Sequence, residues 1–93
     1  MTCNIFHNVA LDRFETLVEG NLCVIDYRRE DGIVHLTHVG VPRPVGNRGI
    51  ASALTQAAFD WARAEGLQVV PVCPYVVAWV KRHREYRSVL RPA

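Results

Sequence analysis

The sequence lacks the features that mark secreted, zinc-binding or membrane-spanning proteins. Its three cysteines, Cys3, Cys23 and Cys73, are an odd number at wide spacing, and no pair forms a Cys-x-x-Cys motif. We therefore expect reduced thiols, with neither a disulfide framework nor a metal site. No apolar run approaches the roughly 18 residues that span a bilayer, and residues 1–10 lack a basic segment followed by a long hydrophobic one. These absences predict a cytoplasmic protein without a membrane partner.

Proline and glycine are also sparse, with five and six residues, in a chain that is 49% hydrophobic and 22% charged. This composition is typical of a globular protein and argues against disorder. The length of 93 residues predicts one domain, residues 1–93. A domain of this size buries roughly 60–65% of the surface that its unfolded chain exposes. Its core must therefore be compact.

The small net charge of +2 hides an asymmetry along the chain. Residues 81–93 contain five basic residues and one acidic residue, a net charge of +4, which leaves −2 for residues 1–80. A basic end can meet an anionic partner, so nucleic-acid binding through Lys81 to Arg91 is one hypothesis. A solvated helix face followed by a frayed tail is the more common fate of such a segment, and we favour that interpretation.

The first half of the sequence has the pattern of antiparallel strands. Residues 13–18 and 22–28 flank Glu19-Gly20-Asn21, and residues 33–41 follow Glu30-Asp31-Gly32. Glycine-bearing turns between β-type runs predict two hairpins and therefore three antiparallel strands. A short additional strand within residues 4–9 has a weaker signal.

The second half predicts a crossover. Apolar residues recur at helical spacing from about Gly49 to Glu65, and Gly66 suits the left-handed position after a helix. Residues 68–73 then form an apolar run that can return beside residues 33–41 as a parallel strand. Pro71 and Pro74 should loosen that pairing. A second helix is predicted from Tyr75 to about Tyr86, which gives an α+β fold with an α/β-type crossover.

The most informative segment is the glycine loop, residues 41–52, which joins the third of these strands to the first helix. Gly46, Asn47, Arg48 and Gly49 could surround a phosphate with backbone N–H groups, because the first amides of a helix lack internal partners. Ordinary helix capping by Gly or Asn is the alternative. The loop is neither a Walker A motif, since no Lys-Ser/Thr follows, nor a Rossmann fingerprint.

Other candidate residues have structural alternatives of their own. In a regular strand His35 and His38 lie on opposite faces, so at most one faces a ligand, and either can be a packing residue. Cys73 lies in apolar surroundings, which favours a buried structural thiol. Tyr75 follows the same strand and could reach a ligand at the opening there. Both tryptophans fall on apolar helical faces and are predicted to be core residues.

Together these segments resemble the small, single-domain branch of the Gcn5-related N-acetyltransferase superfamily. The resemblance covers about residues 13–86. Gly49 and Ala51 match the Gln/Arg-x-x-Gly-x-Gly/Ala motif, although Gly46 stands where a side chain is expected. The segments Val70-Pro71-Val72-Cys73-Pro74-Tyr75-Val76 and Arg82-His83-Arg84-Glu85-Tyr86 resemble that branch downstream, with Arg84 in place of the usual proline. His38 resembles the histidine near the end of the branch's third strand.

The resemblance implies an acetyl-CoA-dependent N-acetyltransferase. It implies that the loop from Gly46 to Gly49, with Ala51 and Ser52, holds the diphosphate, and that Val39, Gly40 and Val41 hold pantetheine and polarise the thioester carbonyl. An amine would attack directly, Cys73 or Tyr75 would protonate the departing thiolate, and His38 would accept the amine's proton. A covalent acetyl-Cys73 intermediate is the less economical alternative.

Two further expectations concern the amine acceptor. Little sequence precedes the first strand to build the helical lid that shapes the acceptor pocket in this superfamily, so a partner or a second copy of the chain could complete that site. A non-catalytic acyl-CoA-binding or protein-interaction module is the alternative function. Acetyl-CoA turnover with a panel of amines separates it from the enzyme.

Overall fold

The computed structural model describes residues 4–92 as a single sheet with helices packed on one face. Five strands follow one another across the sheet in chain order: β1 (Phe6–Asn8), β2 (Arg13–Val18), β3 (Asn21–Glu30), β4 (Ile33–Gly40) and β5 (Gln68–Pro71). The first four are antiparallel, and β5 is parallel to β4. This is the predicted α+β arrangement, including the short first strand. Cys3 lies outside the described residues.

Both predicted hairpins close through two-residue turns. Glu19 and Gly20 have φ angles of 48° and 77°, and Asp31 and Gly32 have φ angles of 50° and 77°. Two successive residues with positive φ form a turn whose twist matches that of the flanking strands. Glycine adopts the second position without steric cost, which explains why both turns end in glycine.

The first helix also follows the sequence pattern closely. Helix α1 spans Ile50–Ala64 and buries an apolar stripe against the sheet, comprising Ile50, Leu54, Ala58, Phe59 and Ala62. Gly66 adopts a φ of 68° after the helix, as predicted, and the next amide, that of Leu67, donates to the Ala62 carbonyl at 2.8 Å. This left-handed residue turns the chain directly into β5.

Helix α2 is shorter than predicted. It spans Pro74–Arg82, and a 3₁₀ helix over Arg84–Val89 follows, so the expectation of one helix continuing to Tyr86 was wrong. His83 leaves helical geometry with a φ of −117°. The tighter turn places Tyr86 in the core, where its hydroxyl donates to Asp60 at 2.7 Å. Tertiary packing therefore ends a helix that its local sequence could have continued.

The chain beyond Tyr86 is also more ordered than predicted. Val89 is buried, Leu90 forms a parallel bridge with Val69 of β5, and the Arg91 amide donates to the Val69 carbonyl at 2.9 Å. The prediction of a frayed tail was therefore wrong as far as Arg91. The segment covers the outer edge of β5, which would otherwise leave its backbone groups unpaired.

A bulge in β4 changes the expected positions of the two strand histidines. Asp26 pairs with His38 but Tyr27 pairs with Leu36, so Thr37 is an extra residue in β4. One extra residue reverses the alternation of side chains beyond it. His35 and His38 consequently lie on the same face, opposite the buried Leu36. The expectation of opposite faces, which assumed a regular strand, was wrong.

The core lies between one face of the sheet and the two helices. Its largest fully buried side chains include Trp79, Phe59, Ile25 and Leu36. The other face of the sheet is uncovered by the described residues and exposes Phe6, Leu17 and Leu22 beside polar side chains. No helix within residues 4–92 is both long and apolar enough to cross a bilayer.

Candidate active site

The glycine loop contains two left-handed residues directly before α1. After a 3₁₀ turn over Arg43–Val45, Gly46 is extended, Asn47 has a φ of 60° and Gly49 a φ of 77°. A backbone that alternates in this way can present successive N–H groups to one side and form a concave site for anions. The Gly46 amide itself donates to the Arg43 carbonyl at 3.0 Å. The amides after Gly46 are therefore the better candidates for contact with an anion.

The first turn of α1 has no side-chain cap. Gly49 is the N-cap residue, no side chain accepts a hydrogen bond from the first turn, and that turn contains no acidic residue. The first hydrogen bond of the helix is from the Ala53 amide to the Gly49 carbonyl, at 3.0 Å. Amides at the start of a helix carry partial positive charge and attract anions. This arrangement favours an anion site over ordinary capping.

A cavity of about 200 Å³ lies against this turn. It brings together seven of the residues that the sequence had singled out: Val41, Gly46, Asn47, Gly49, Ala51, Ser52 and Tyr75. Ile50 lines it as well and was not predicted. Tyr75 comes from the start of α2, so the cavity lies between the N-terminal ends of the two helices. Small side chains in the loop keep the backbone accessible.

Strands β4 and β5 separate beside this cavity. Their parallel pairing runs from Ile33 opposite Gln68 to Leu36 opposite Pro71 and continues no further. The amides of Val72 and Cys73 both donate to the Leu36 carbonyl, each at 3.0 Å. Thr37 to Gly40 therefore extend beyond β5 without a ladder partner on that side. The pairing ends at Pro71 as predicted, but the missing N–H of Pro71 is not the cause. The Gln68 and Val72 amides face β4, so the Pro71 nitrogen faces the outer edge of β5.

Cys73 and Tyr75 lie where the chain leaves β5 for α2. Cys73 is the N-cap residue of α2, is half-buried and belongs to no disulfide. Both side chains pack partly against the hydrophobic core. Pro74 begins the helix, a position where its missing N–H costs nothing. The two candidate proton donors are thus fixed by a strand end and a helix start.

His38 is exposed on the open face of the sheet, beside Gly40. A Cβ atom added at Gly40 would lie 3.0 Å from the His38 Nε2 atom and 3.6 Å from a methyl group of Val24. The imidazole therefore occupies space that a larger residue 40 would need. Val39 points to the other side and packs against the core. His38 does not line the glycine-loop cavity.

Arg48 forms an ion pair across the loop. Its guanidinium contacts both carboxylate oxygens of Glu19 in the β2–β3 turn, and Nη2 also donates to the Pro44 carbonyl at 3.4 Å. The hydrogen bond lowers the pKa of Glu19 and raises that of Arg48. Because both groups face solvent, the pair contributes little to stability. The pair does, however, hold the Arg48 guanidinium against the β2–β3 turn.

A second contact connects the cavity with the core. The indole Nε1 of Trp79 in α2 donates to Ser52 Oγ in α1 at 2.8 Å. Trp79 and Ser52 lie 27 residues apart in the sequence, and Glu19 and Arg48 lie 29 apart. Helical spacing shows which residues share a face, whereas contacts between distant segments depend on how those segments pack. The sequence offered no signal for either pair.

The structure thus defines a class of protein: one in which β4 separates from β5 and leads through a glycine loop to a helix N-terminus, the architecture of N-acetyltransferases. A family model described as GCN5-related N-acetyl-transferase matches residues 13–89. The chain belongs to this family, and membership supports N-acetyltransferase activity in general. The match includes the glycine loop, β5 and α2.

A solved structure has the same fold. The solution structure of a GCN5-like protein from Staphylococcus aureus superimposes with a TM-score of 0.77, over 98% of this chain and 90% of that one. The two sequences are 20% identical. At this identity the likeness concerns the fold alone, and it agrees with the small GCN5-related architecture.

Proposed function

We propose that the protein transfers the acetyl group of acetyl-CoA to an amine by direct attack in a ternary complex. One observation carries the proposal: an uncapped helix N-terminus, a loop with left-handed residues and a gap between β4 and β5 adjoin each other. Coenzyme A has a diphosphate joined to an extended pantetheine arm. The anion site suits the first, and the gap between strands suits the second.

The diphosphate would bind at the cavity. Amides after Gly46, through Asn47, Arg48 and Gly49 to Ala51, would donate to its oxygens, assisted by the positive end of α1. Ser52 adds a hydroxyl at the cavity wall. Arg48 adds a positive charge that can leave Glu19 for the ligand, because the ion pair is exposed and inexpensive to break.

Pantetheine would lie in the gap between the end of β4 and residues 72–73. Backbone groups of Val39, Gly40 and Val41 on that side have no β5 partner and would bind the amide groups of the arm and polarise the thioester carbonyl. A strand-like ligand that adds to an exposed strand edge uses the same hydrogen bonds as a neighbouring strand. The open face beside His38 would receive the acceptor.

In the reaction, the nitrogen of a neutral amine forms a bond to the acetyl carbon while the carbon–sulfur bond breaks. The sulfur leaves as the thiolate of coenzyme A with the bonding electron pair, and a proton from Cys73 or Tyr75 converts it to the thiol. The nitrogen loses its extra proton to His38, directly or through water. Positioning the two reactants would supply much of the acceleration.

The test is steady-state acetyl-CoA turnover with a panel of amines, in the intact protein and in Cys73→Ser, Tyr75→Phe and His38→Gln. Turnover should fall about 10²-fold in whichever variant lacks the proton donor, with acetyl-CoA affinity kept, because general acid catalysis contributes about 10²–10⁴-fold. If Cys73→Ser keeps full turnover, Cys73 is a packing residue and Tyr75 is the donor. Full turnover in both variants would contradict the assignment.

Two measurements separate the alternatives. Rapid mixing with acetyl-CoA followed by intact-protein mass spectrometry should give no kinetically competent acetyl adduct, whereas an adduct absent from Cys73→Ser would establish a covalent route. Acetyl-CoA binding by calorimetry without turnover on any amine would favour a non-catalytic acyl-CoA-binding module. Loss of both would remove the acetyl-CoA proposal. If a second copy of the chain forms part of the acceptor site, the turnover rate per chain will rise with protein concentration.

A further inference from the structure

Trp79 has a polar contact that its buried position makes obligatory. The residue is fully buried, and its indole nitrogen, which can only donate, is 2.8 Å from Ser52 Oγ. A buried indole N–H without an acceptor would cost the full desolvation of the group. The described residues contain no buried side-chain nitrogen or oxygen without a hydrogen-bond partner. Ser52 is therefore the acceptor on which this tryptophan depends.

The direction of this N–H is fixed by two rings that stack against the indole. Phe59 stacks against Trp79 with ring centroids 5.2 Å apart, and His83 stacks with centroids 3.9 Å apart and planes 11° apart. His83 Nδ1 is also 2.8 Å from the Trp79 carbonyl oxygen. The indole cannot rotate without disturbing the core. It therefore imposes an orientation on Ser52.

Ser52 has a different role from the other hydroxyl residue in α1. Thr55 donates to the Ala51 carbonyl at 2.8 Å, the usual arrangement for a hydroxyl within a helix. Ser52 instead accepts from Trp79 and lines the glycine-loop cavity. A hydroxyl has one proton and two lone pairs, so acceptance from Trp79 leaves the proton for another partner. The cavity at the helix N-terminus is where an anion would supply that partner.

We infer that Trp79 is a positioning residue. Its indole holds Ser52 in the orientation in which the Ser52 hydroxyl donates to the coenzyme diphosphate bound at the glycine loop. The inference rests on the proposed function and extends it to a buried residue outside the cavity wall. Hydrogen bonds from a hydroxyl to a charged oxygen are short and about twice as strong as neutral ones. The core of α2 thereby contributes to affinity without touching the ligand.

Calorimetry with acetyl-CoA tests the two residues together. Ser52→Ala should lower affinity about 10-fold, the size expected for one hydrogen bond to a charged group. Trp79→Phe keeps an aromatic ring but removes the N–H, and should lower affinity about 3-fold or more, because Ser52 then loses its orientation. The double variant should bind no more weakly than Ser52→Ala. Additive losses, or unchanged affinity in either single variant, would overturn the inference.

Stability provides a readout that separates positioning from packing. Ser52→Ala leaves the buried indole without an acceptor and should lower Tm. In a Trp79→Phe background, which carries its own cavity but has no N–H to satisfy, Ser52→Ala should lower Tm less, so that part of its effect on Tm is recovered. Affinity should not recover with it. Trp61→Phe is the matched control, since it makes the same change on α1 away from the cavity and should keep affinity. Recovery of affinity together with Tm would show a merely structural role.

A comparison of two acetyl donors, with and without a diphosphate, provides a second test. With S-acetyl-pantetheine, which lacks the diphosphate, KM should be the same in Ser52→Ala, Trp79→Phe and the unaltered protein. With acetyl-CoA, KM should rise in both variants while kcat changes little. The contacts with the diphosphate are the same in the bound substrate and in the transition state, so their loss weakens binding without slowing the chemical step. An equal change in KM for S-acetyl-pantetheine and for acetyl-CoA would overturn the inference.

The unaltered protein offers a test that needs no variant of Trp79 to fold. The chain has two tryptophans, so its ¹H–¹⁵N spectrum contains two indole signals, which Trp61→Phe assigns. Acetyl-CoA should shift the Trp79 signal and leave that of Trp61 in place. An unmoved Trp79 signal at saturation would overturn this inference alone. An unaltered protein that does not bind acetyl-CoA would instead overturn the proposed function, and this inference with it.

Discussion

At the N-terminal end of α1, Gly49 and Ala51 expose backbone beside a cavity, whereas at the C-terminal end Trp61 packs against His7, Phe14 and Tyr27. Ala51 and Trp61 lie about 15 Å apart along the helix. Rings within this aromatic cluster (His7, Phe14, Tyr27 and Trp61) have centroids 4.0 to 6.2 Å apart. Small residues keep one end accessible, and large ones fill the other.

In α1, accessible backbone amides and the densest aromatic packing lie at opposite ends of one helix. Backbone amides at a helix start can serve a ligand only if side chains do not cover them. The apolar face of this end is nevertheless packed, since Ile50 and Leu54 are buried in the core. The aromatic cluster adds support at the other end, with the Arg29 guanidinium 5.9 Å from the centre of the Trp61 ring.

The largest effect is expected for Trp61→Ala. Removal of a half-buried ring from the aromatic cluster should lower the free energy of unfolding by about 3 kcal/mol, from lost contacts and a cavity. Urea unfolding measures this loss. Acetyl-CoA affinity, measured by calorimetry, should stay within about 2-fold in the folded variant, because Trp61 does not line the cavity. A factor of 2 corresponds to about 0.4 kcal/mol. A tenfold loss would mean that the two ends are coupled.

Gly49→Val and Gly66→Val form a matched pair on the two ends of α1. Both glycines have positive φ, 77° and 68°, and neither has an atom within 4 Å of an added Cβ. Each substitution should therefore cost about 1–2 kcal/mol through backbone strain. Only Gly49→Val should also weaken acetyl-CoA binding, by about 10-fold or more, because it alters the amides of the anion site. Equal affinities would show that the loop does not bind the ligand.

A smaller effect is expected from Glu19→Gln. The carboxylate holds Arg48 by an ion pair, and its removal frees the guanidinium for the diphosphate, so acetyl-CoA affinity should rise about 3-fold at low salt. Glu30→Gln is the control, because it makes the same charge change at the other end of β3. Calorimetry at two salt concentrations compares them. Lower affinity in Glu19→Gln would mean that Glu19 orients Arg48 rather than competing for it.

The smallest expected effect is a pH dependence at the aromatic end. Burial lowers the pKa of His7 below its usual 6.5, against an opposing effect of Asp12, and His7 is hydrogen-bonded to the Tyr27 hydroxyl at 2.8 Å. The unfolded chain then binds more protons below about pH 6.5, so stability falls as pH decreases from there. Tm of the unaltered protein should drop more than that of His7→Phe between pH 7 and 5. Parallel curves would contradict the assignment.

Local signals predicted much of the architecture. Glu19-Gly20 and Asp31-Gly32 predicted hairpins because only certain residues adopt positive φ readily. Gly66 predicted the end of α1 for the same reason. Pro71 predicted where β5 ends, although its nitrogen faces away from β4 and does not itself end the pairing. At the candidate site, the glycine loop was predicted to hold a phosphate, and Tyr75 was predicted to reach a ligand at the opening beyond β5. The two line one cavity.

The errors arose where distant segments meet. The bulge at Thr37 depends on the register between β3 and β4, and no pattern within β4 indicates it. Helix α2 ends at Arg82 because Tyr86 and Val89 pack into the core, and the tail is ordered because Arg91 binds β5. Each of these contacts joins residues far apart in sequence. The intrinsic preference of a residue for helix or strand is too weak to oppose such packing.

The sequence by itself determined the order of the elements, the two hairpin turns, the left-handed residue after α1 and the apolar stripe of α1. These follow from steric limits and spacing within a few residues of chain. Only the tertiary structure decided that Glu19 holds Arg48, that His35 and His38 share a face, and that Trp79 meets Ser52. Such contacts depend on how helices and strands dock, and docking is set by the packing of the whole core.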